Sequence, residues 1–250
     1  MKTISKVFSC ILAFSSLLGS VEGQNRYKIW YDKPASYWEE ALPIGNGRIA
    51  AMVFGDPQLE QIQLNEETVS AGSPYQNYNE EAKAALPEMR RLIFEGKYEE
   101  AQNMAATKIL SQVGNEMPYQ TVGRLNIRYQ DHKKVSNYYR DLDISNAMTV
   151  TRYKVDGVEF TEETFASFTD QLVIRHIKSS KPGAINCELF FNTPMRDPKR
   201  SIYGKKGLRL EGITHGSRYF PGKVHYCADL DVKNKGGEVT MANDTLLSVQ

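Results

Sequence analysis

Two loops hold the residues best suited to recognising a polar ligand. Pro43-Ile44-Gly45-Asn46-Gly47-Arg48 sets an amide and a guanidinium between glycines at the mouth of a predicted strand. Glycines let the backbone come close to a ligand or to another domain. Leu64-Asn65-Glu66-Glu67-Thr68 gathers amide, acid and hydroxyl groups at a strand end, and Trp38, Tyr75, Gln76 and Tyr78 stand nearby in the sequence. Amides, acids, an arginine and aromatic faces are what a sugar-binding surface requires. The same composition also serves turns and inter-domain packing, and the loops alone leave both readings open. Asn46, Arg48, Asn65 and Glu66 are the candidates for such a surface.

Other constellations carry less. There is no His-Glu-x-x-His, no Gly-x-Ser-x-Gly, no phosphate loop and no dinucleotide fingerprint. His215-Gly216-Ser217 lacks the spacing of a nucleophile elbow. His225, Cys227, Asp229 and Asp231 alternate on one strand face, but they spread over roughly 20 Å at ~3.3 Å per residue, too far to wrap one ion. They read as a solvent-facing row, and no metal or cofactor site is expected. The doublets Glu39-Glu40, Glu66-Glu67, Glu80-Glu81, Glu99-Glu100 and Glu162-Glu163 splay their carboxylates apart, on a strand or on a helix. They are expected on the solvated surface.

The elements that position these residues change period along the chain. Residues 27–75 read as β, with Arg48 to Phe54 and Gln61 to Asn65 flanking the turn Gly55-Asp56-Pro57. Residues 78–112 turn helical: Asn79 caps a start rich in acids, Pro87 opens a second helix with Met89, Leu92 and Ile93 on one face, and Gly96 stops it. Tyr98, Ala101, Met104, Ala105 and Ile109 form a further amphipathic run. From 122 to 250 short strands return, with Asp156-Gly157 predicting a type I′ hairpin and Gly236-Gly237 another turn. Many strands at similar spacing predict a mainly β, antiparallel sandwich with a small helical segment inserted at about 78–112. Residues 245–250 end the chain inside a predicted strand, which reads as a truncation.

Composition bounds the partners. The 250 residues are 41% hydrophobic and 24% charged, with 31 Lys+Arg against 30 Asp+Glu. So even a balance provides no electrostatic footprint for nucleic acid or anionic lipid. Lys2 and Lys6 before the apolar run Val7 to Leu18, with small residues at Val21 and Gly23, predict a signal peptide over 1–23 and a secreted or periplasmic product of 24–250. Cys10 lacks a lipoprotein lead-in, so no membrane anchor is expected. Cys187 and Cys227 remain in the mature chain; strand alternation turns one inward and the other outward, which favours two free thiols.

The ordered series Trp38-Glu39-Glu40-Ala41-Leu42-Pro43-Ile44-Gly45-Asn46-Gly47-Arg48, Ala51-Met52-Val53-Phe54-Gly55 and Ile62-Gln63-Leu64-Asn65-Glu66-Glu67-Thr68 closely resembles the N-terminal domain of glycoside hydrolase family 95. Those enzymes are α-L-fucosidases with some α-L-galactosidases. The resemblance continues through Arg90 to Tyr98, Tyr139 to Asp143, Val155 to Val158 and Gly236-Gly237. It implies a β-supersandwich that packs on a catalytic (α/α)6 barrel and helps shape a cleft for fucosylated or related oligosaccharides. The family's catalytic carboxylate and its asparagine-activated base lie in the barrel. No position here matches that motif, so this chain alone is expected to be inactive. Val69-Ser70-Ala71-Gly72 and Tyr119-Gln120-Thr121-Val122-Gly123-Arg124 depart from the usual family pattern and bear on which sugar is bound. The other readings are a free-standing carbohydrate-binding module and an inactive remnant of a prematurely stopped gene.

Overall fold

The computed structural model describes residues 27–72, 76–111, 117–217, 220–243 and 245–250. The expected signal peptide, Tyr75 and residue 112 of the helical segment lie outside them. Fifteen strands form among the described residues: β1 (Lys28–Tyr31), β2 (Leu42–Gly45), β3 (Ile49–Val53), β4 (Leu59–Glu66), β5 (Gly123–Tyr129), β6 (Val135–Asp143), β7 (Met148–Val155), β8 (Val158–Ser167), β9 (Leu172–Ser179), β10 (Cys187–Asn192), β11 (Arg196–Tyr203), β12 (Gly207–Ile213), β13 (His225–Asp231), β14 (Val239–Asn243) and β15 (Leu246–Val249). They make a seven-stranded sheet in the order β14-β15-β10-β5-β4-β3-β2, a five-stranded sheet β1-β6-β7-β8-β9 and a three-stranded sheet β11-β12-β13. The last strand, β15, is paired on both sides.

The layers follow from alternation. Along the seven-stranded sheet Leu42, Ile44, Ala51, Val53, Ile62, Ile127, Leu189, Phe191 and Leu247 all turn inward, against Leu142 of the five-stranded sheet and Leu208 and Leu210 of the three-stranded one. The two smaller sheets therefore cover one face of the large sheet. Each fully buried side chain of this kind contributes about 1.5–3 kcal/mol. Asp156 and Gly157 take φ of 47° and 82°, and Val155 faces Val158 across the expected two-residue hairpin.

Between the sheets lies a charged layer. Arg175 of β9 donates to Glu60 of β4 at 2.7 Å and to Glu162 of β8, and Tyr153 donates to Glu162 at 2.6 Å. Glu60 also accepts the N–H groups of Phe54 and Gly55. The Glu162-Glu163 doublet is thus not solvated as a pair. Alternation sends Glu163 outward to Lys178 and His176 and Glu162 inward, where a guanidinium on the adjacent strand receives it.

The helical insert forms α1 (Ala82–Phe94), α2 (Tyr98–Met104) and a closing π-helical turn over Ala105–Ile109. Asn79 accepts the Glu81 N–H in an Asx turn just ahead of α1, whose N-cap position is Glu81 without a side-chain cap, so the expected Asn79 cap is displaced by two residues. Gly96, at φ +75°, ends α1 in a Schellman motif: its N–H bonds the Ile93 carbonyl and that of Lys97 bonds the Leu92 carbonyl. Two further details of the sequence reading are corrected. Pro87 lies inside α1, on its exposed side beside Lys83, whose carbonyl would otherwise take the missing N–H. Ala85, Met89 and Leu92 make the packed face, and Ile93 is exposed.

Cys187 is buried and Cys227 exposed, both free. Burial pushes the Cys187 thiol up to about 12, which leaves it neutral and unreactive.

Candidate functional site

The β2–β3 turn is held by its own amide. Asn46 Oδ1 accepts the N–H groups of Arg48 and Ile49 at 3.0 and 2.9 Å, an Asx turn, while Gly47 supplies φ +93°. The Asn46 Nδ2 group donates to the Ser167 carbonyl at 2.8 Å and to Gln171 Oε1 at 3.2 Å. This side chain therefore ties the turn of one sheet to the β8–β9 turn of the other. Its polar atoms all have protein partners, so it acts here as a strut.

Arg48 and Glu66 meet across β3 and β4. Arg48 Nε donates to Glu66 Oε1 at 3.0 Å, and Glu66 Oε2 accepts both the N–H and the hydroxyl of Thr68. Burial acts to raise the Glu66 carboxyl, but the two Thr68 donors and the Arg48 guanidinium outweigh it and hold its pKa below the ordinary carboxylate value. A carboxylate so held is an acceptor and a charge, and it does not serve as a general acid near neutrality.

Asn65 differs from its neighbours. It sits opposite Ala50 on the outer face of the sheet, and among the described residues its carboxamide has no hydrogen-bond partner. Its two donors and one acceptor are available to a ligand. The structure thus joins Arg48, Glu66 and Thr68 in one cluster, turns Asn65 to the opposite face of the same strand end, and gives Asn46 to the scaffold. Trp38 does not join them. It lies in a 3-10 turn before β2, beyond the far end of that four-residue strand and so about 13 Å away along the chain.

The end of the sandwich that carries this cluster exposes large apolar side chains that sequence reasoning missed. Ile144 sits in the β6–β7 turn, Phe168 and Leu172 flank the β8–β9 turn, and Tyr119 is bridged to Ser70 just past the cluster. The helical insert starts from the same end and adds Tyr78, Phe94, Tyr98 and Leu110. The Gln120 carboxamide clamps the neighbouring loop, donating to the His215 carbonyl and accepting from the His215 N–H, both at 2.8 Å. Turn residues conceal such a patch from periodicity, since Ile144 and Phe168 each stand singly between polar neighbours.

Residues 29–250 match the family described as glycosyl hydrolase family 65, N-terminal domain. The chain is 37% identical over 171 residues to alpha-L-fucosidase 2 of Arabidopsis thaliana, covering 67% of this chain and 20% of that protein. It is 26% identical to probable alpha-fucosidase A of Aspergillus niger over 61% of this chain and 20% of the relative. The corresponding protein of Aspergillus oryzae is also 26% identical, over 66% of this chain and 23% of the relative. The matched region spans about a fifth of the length of these curated relatives.

Proposed function

Because the chain belongs to the family of glycosyl hydrolase family 65 N-terminal domains, we propose that it is the leading β domain of a secreted family 95 α-L-fucosidase-like hydrolase. Its loop end packs on a catalytic (α/α)6 barrel and lends polar groups to the oligosaccharide cleft. The observation that carries this reading is the concentration at one end of Ile144, Phe168, Leu172 and Tyr119 around Arg48 and Glu66. An interface core is apolar and aromatic with polar groups at its rim, and this end has that composition. Resemblance to proteins named as fucosidases supports the substrate class.

Inverting hydrolysis needs a protonated acid and a water-activating base facing each other across the sugar. Glu66, held ionised, supplies neither an acid nor a facing partner, so the chemistry falls to the barrel. Asn65 contributes binding. In the complete hydrolase, Asn65→Ala is expected to lower kcat/KM for a fucosylated oligosaccharide about ten-fold or more. An unchanged kcat/KM refutes the role in the cleft.

A free-standing carbohydrate-binding module is the second reading, favoured by the unpartnered Asn65 amide. Calorimetric titration of this chain with 2′-fucosyllactose separates the two. Saturable heat supports the module, whereas the barrel-packing domain gives scarcely any.

A further inference from the structure

We propose that the outer face of the seven-stranded sheet is a binding groove for an anionic oligosaccharide. The face pointing away from the core runs across β4, β5 and β10 and is hollowed twice. One hollow, of about 430 Å³, includes Gln63, Arg124 and Asn192 in its wall. The other, of about 370 Å³, includes Arg128, Arg200 and again Asn192. The two adjoin at Asn192 and form one groove across the strands.

Its charge departs from that of the chain as a whole, whose net charge is +1. Arg128 pairs with Glu188 at 3.0 Å. Arg124 bonds the Gln61 amide oxygen at 2.6 Å, and Arg200 bonds the Phe191 carbonyl at 2.8 Å; neither has a carboxylate partner among the described residues. Arg200 comes from β11 and reaches this wall where β10 has parted from β15, whose shared pairing ends at Leu189. Among the described residues three guanidinium groups thus face one carboxylate. Arg124 and Arg128 lie four residues apart on one strand face, about 13 Å, so the positive sites repeat along the groove.

The remaining lining selects the class of ligand. The carboxamides of Gln63 and Asn192 have no hydrogen-bond partner among the described residues, and they fit hydroxyl groups, which both donate and accept. Single-stranded nucleic acid would need open aromatic platforms, but the Phe190 ring is already covered by Arg128, 4.9 Å from its centroid. A protein partner would need apolar anchors, and none of the exposed large apolar residues lies on β4, β5 or β10. A glycan bearing carboxylates or sulfates meets both the free guanidinium groups and the free amides.

Calorimetric titration of the intact chain at low ionic strength tests this with a galacturonic acid hexamer, its methyl ester and a sulfated hexasaccharide. Saturable binding of the free acid is expected, weakened about ten-fold or more by esterification, which removes charge-assisted hydrogen bonds. Arg124→Gln and Arg200→Gln, each checked for an unchanged melting temperature, should weaken the acid by a similar factor and leave the ester unaffected. Asn192→Ala should weaken both acid and ester. Binding of the sulfated probe alone would keep the groove and identify sulfate as the charge it reads. Equal binding of acid and ester, no saturable binding of any probe, or an oligothymidylate bound as tightly as the uronate would overturn the proposal.

Discussion

Strand β8 joins two unlike ends of the sandwich. Near its start Phe160 is 3% exposed, stacked on Tyr153 and tilted against His132, which itself stacks on Tyr129. Just past its end Phe168 is 76% exposed. The turns around the first end, 55–58, 130–134, 155–158 and 180–184, carry none of the exposed large apolar residues. Those around the second carry Ile144, Phe168, Leu172 and Tyr119. The segment leading into β2 at the first end still exposes Tyr37 and Trp38, at 58% and 51%, so the contrast lies between the strand-connecting turns of the two ends. Apolar side chains grouped on one set of turns are what a surface fit for association looks like.

The largest effect should come from the charged layer beneath the closed end. Arg175→Met leaves Glu60 and Glu162 buried without their cation, and breaking a buried pair costs about 3–5 kcal/mol. Urea unfolding should show that loss, and adding Glu60→Gln and Glu162→Gln should recover part of it. A loss under about 1 kcal/mol would mean that water reaches the layer and that the first end is as open as the second.

A paired substitution along β8 sharpens the contrast with one chemistry. Phe160→Ala should destabilise the domain by about 3–5 kcal/mol through the cavity it leaves. Phe168→Ala should change stability by less than about 0.5 kcal/mol, with any other consequence confined to association. Equal effects in denaturant titrations would abolish the distinction between the ends.

Much of the fold is legible in the sequence because local chemistry decides it. The Asp156-Gly157 hairpin, the inward Ile62 and Leu64 of β4, and the Gly96 stop each follow from a few neighbouring residues. What is not legible depends on which strand lies beside which. Glu162 reads as half of a surface doublet until β9 brings Arg175 beside it. β11 begins Arg-Asp-Pro-Lys-Arg-Ser, which has no apolar alternation to mark a strand. It becomes a strand at a sheet edge, with Asp197 at φ +47° and a bulge between Arg196 and Lys199 accommodating Pro198. Within the candidate site, spacing across a hairpin brings Arg48 to Glu66. The use of Asn46 as a strut depends on Ser167 and Gln171, 121 and 125 residues away.

The smallest effect belongs to the loop end itself. The Arg48 side chain is 61% exposed against 19% for Glu66, and an ion pair so open to solvent contributes about 0.2–1 kcal/mol at most. Arg48→Met also leaves both Thr68 donors on the Glu66 carboxylate, so Glu66 keeps its charge. The melting temperature of the isolated chain should therefore barely move, and raising the salt concentration should remove what difference there is. The exposed guanidinium is then free to serve whatever approaches that end, because stability does not depend on it. If Arg48→Met instead lowers stability by as much as Phe160→Ala, the loop end is scaffold like the closed one, and the asymmetry that marks it for association is lost.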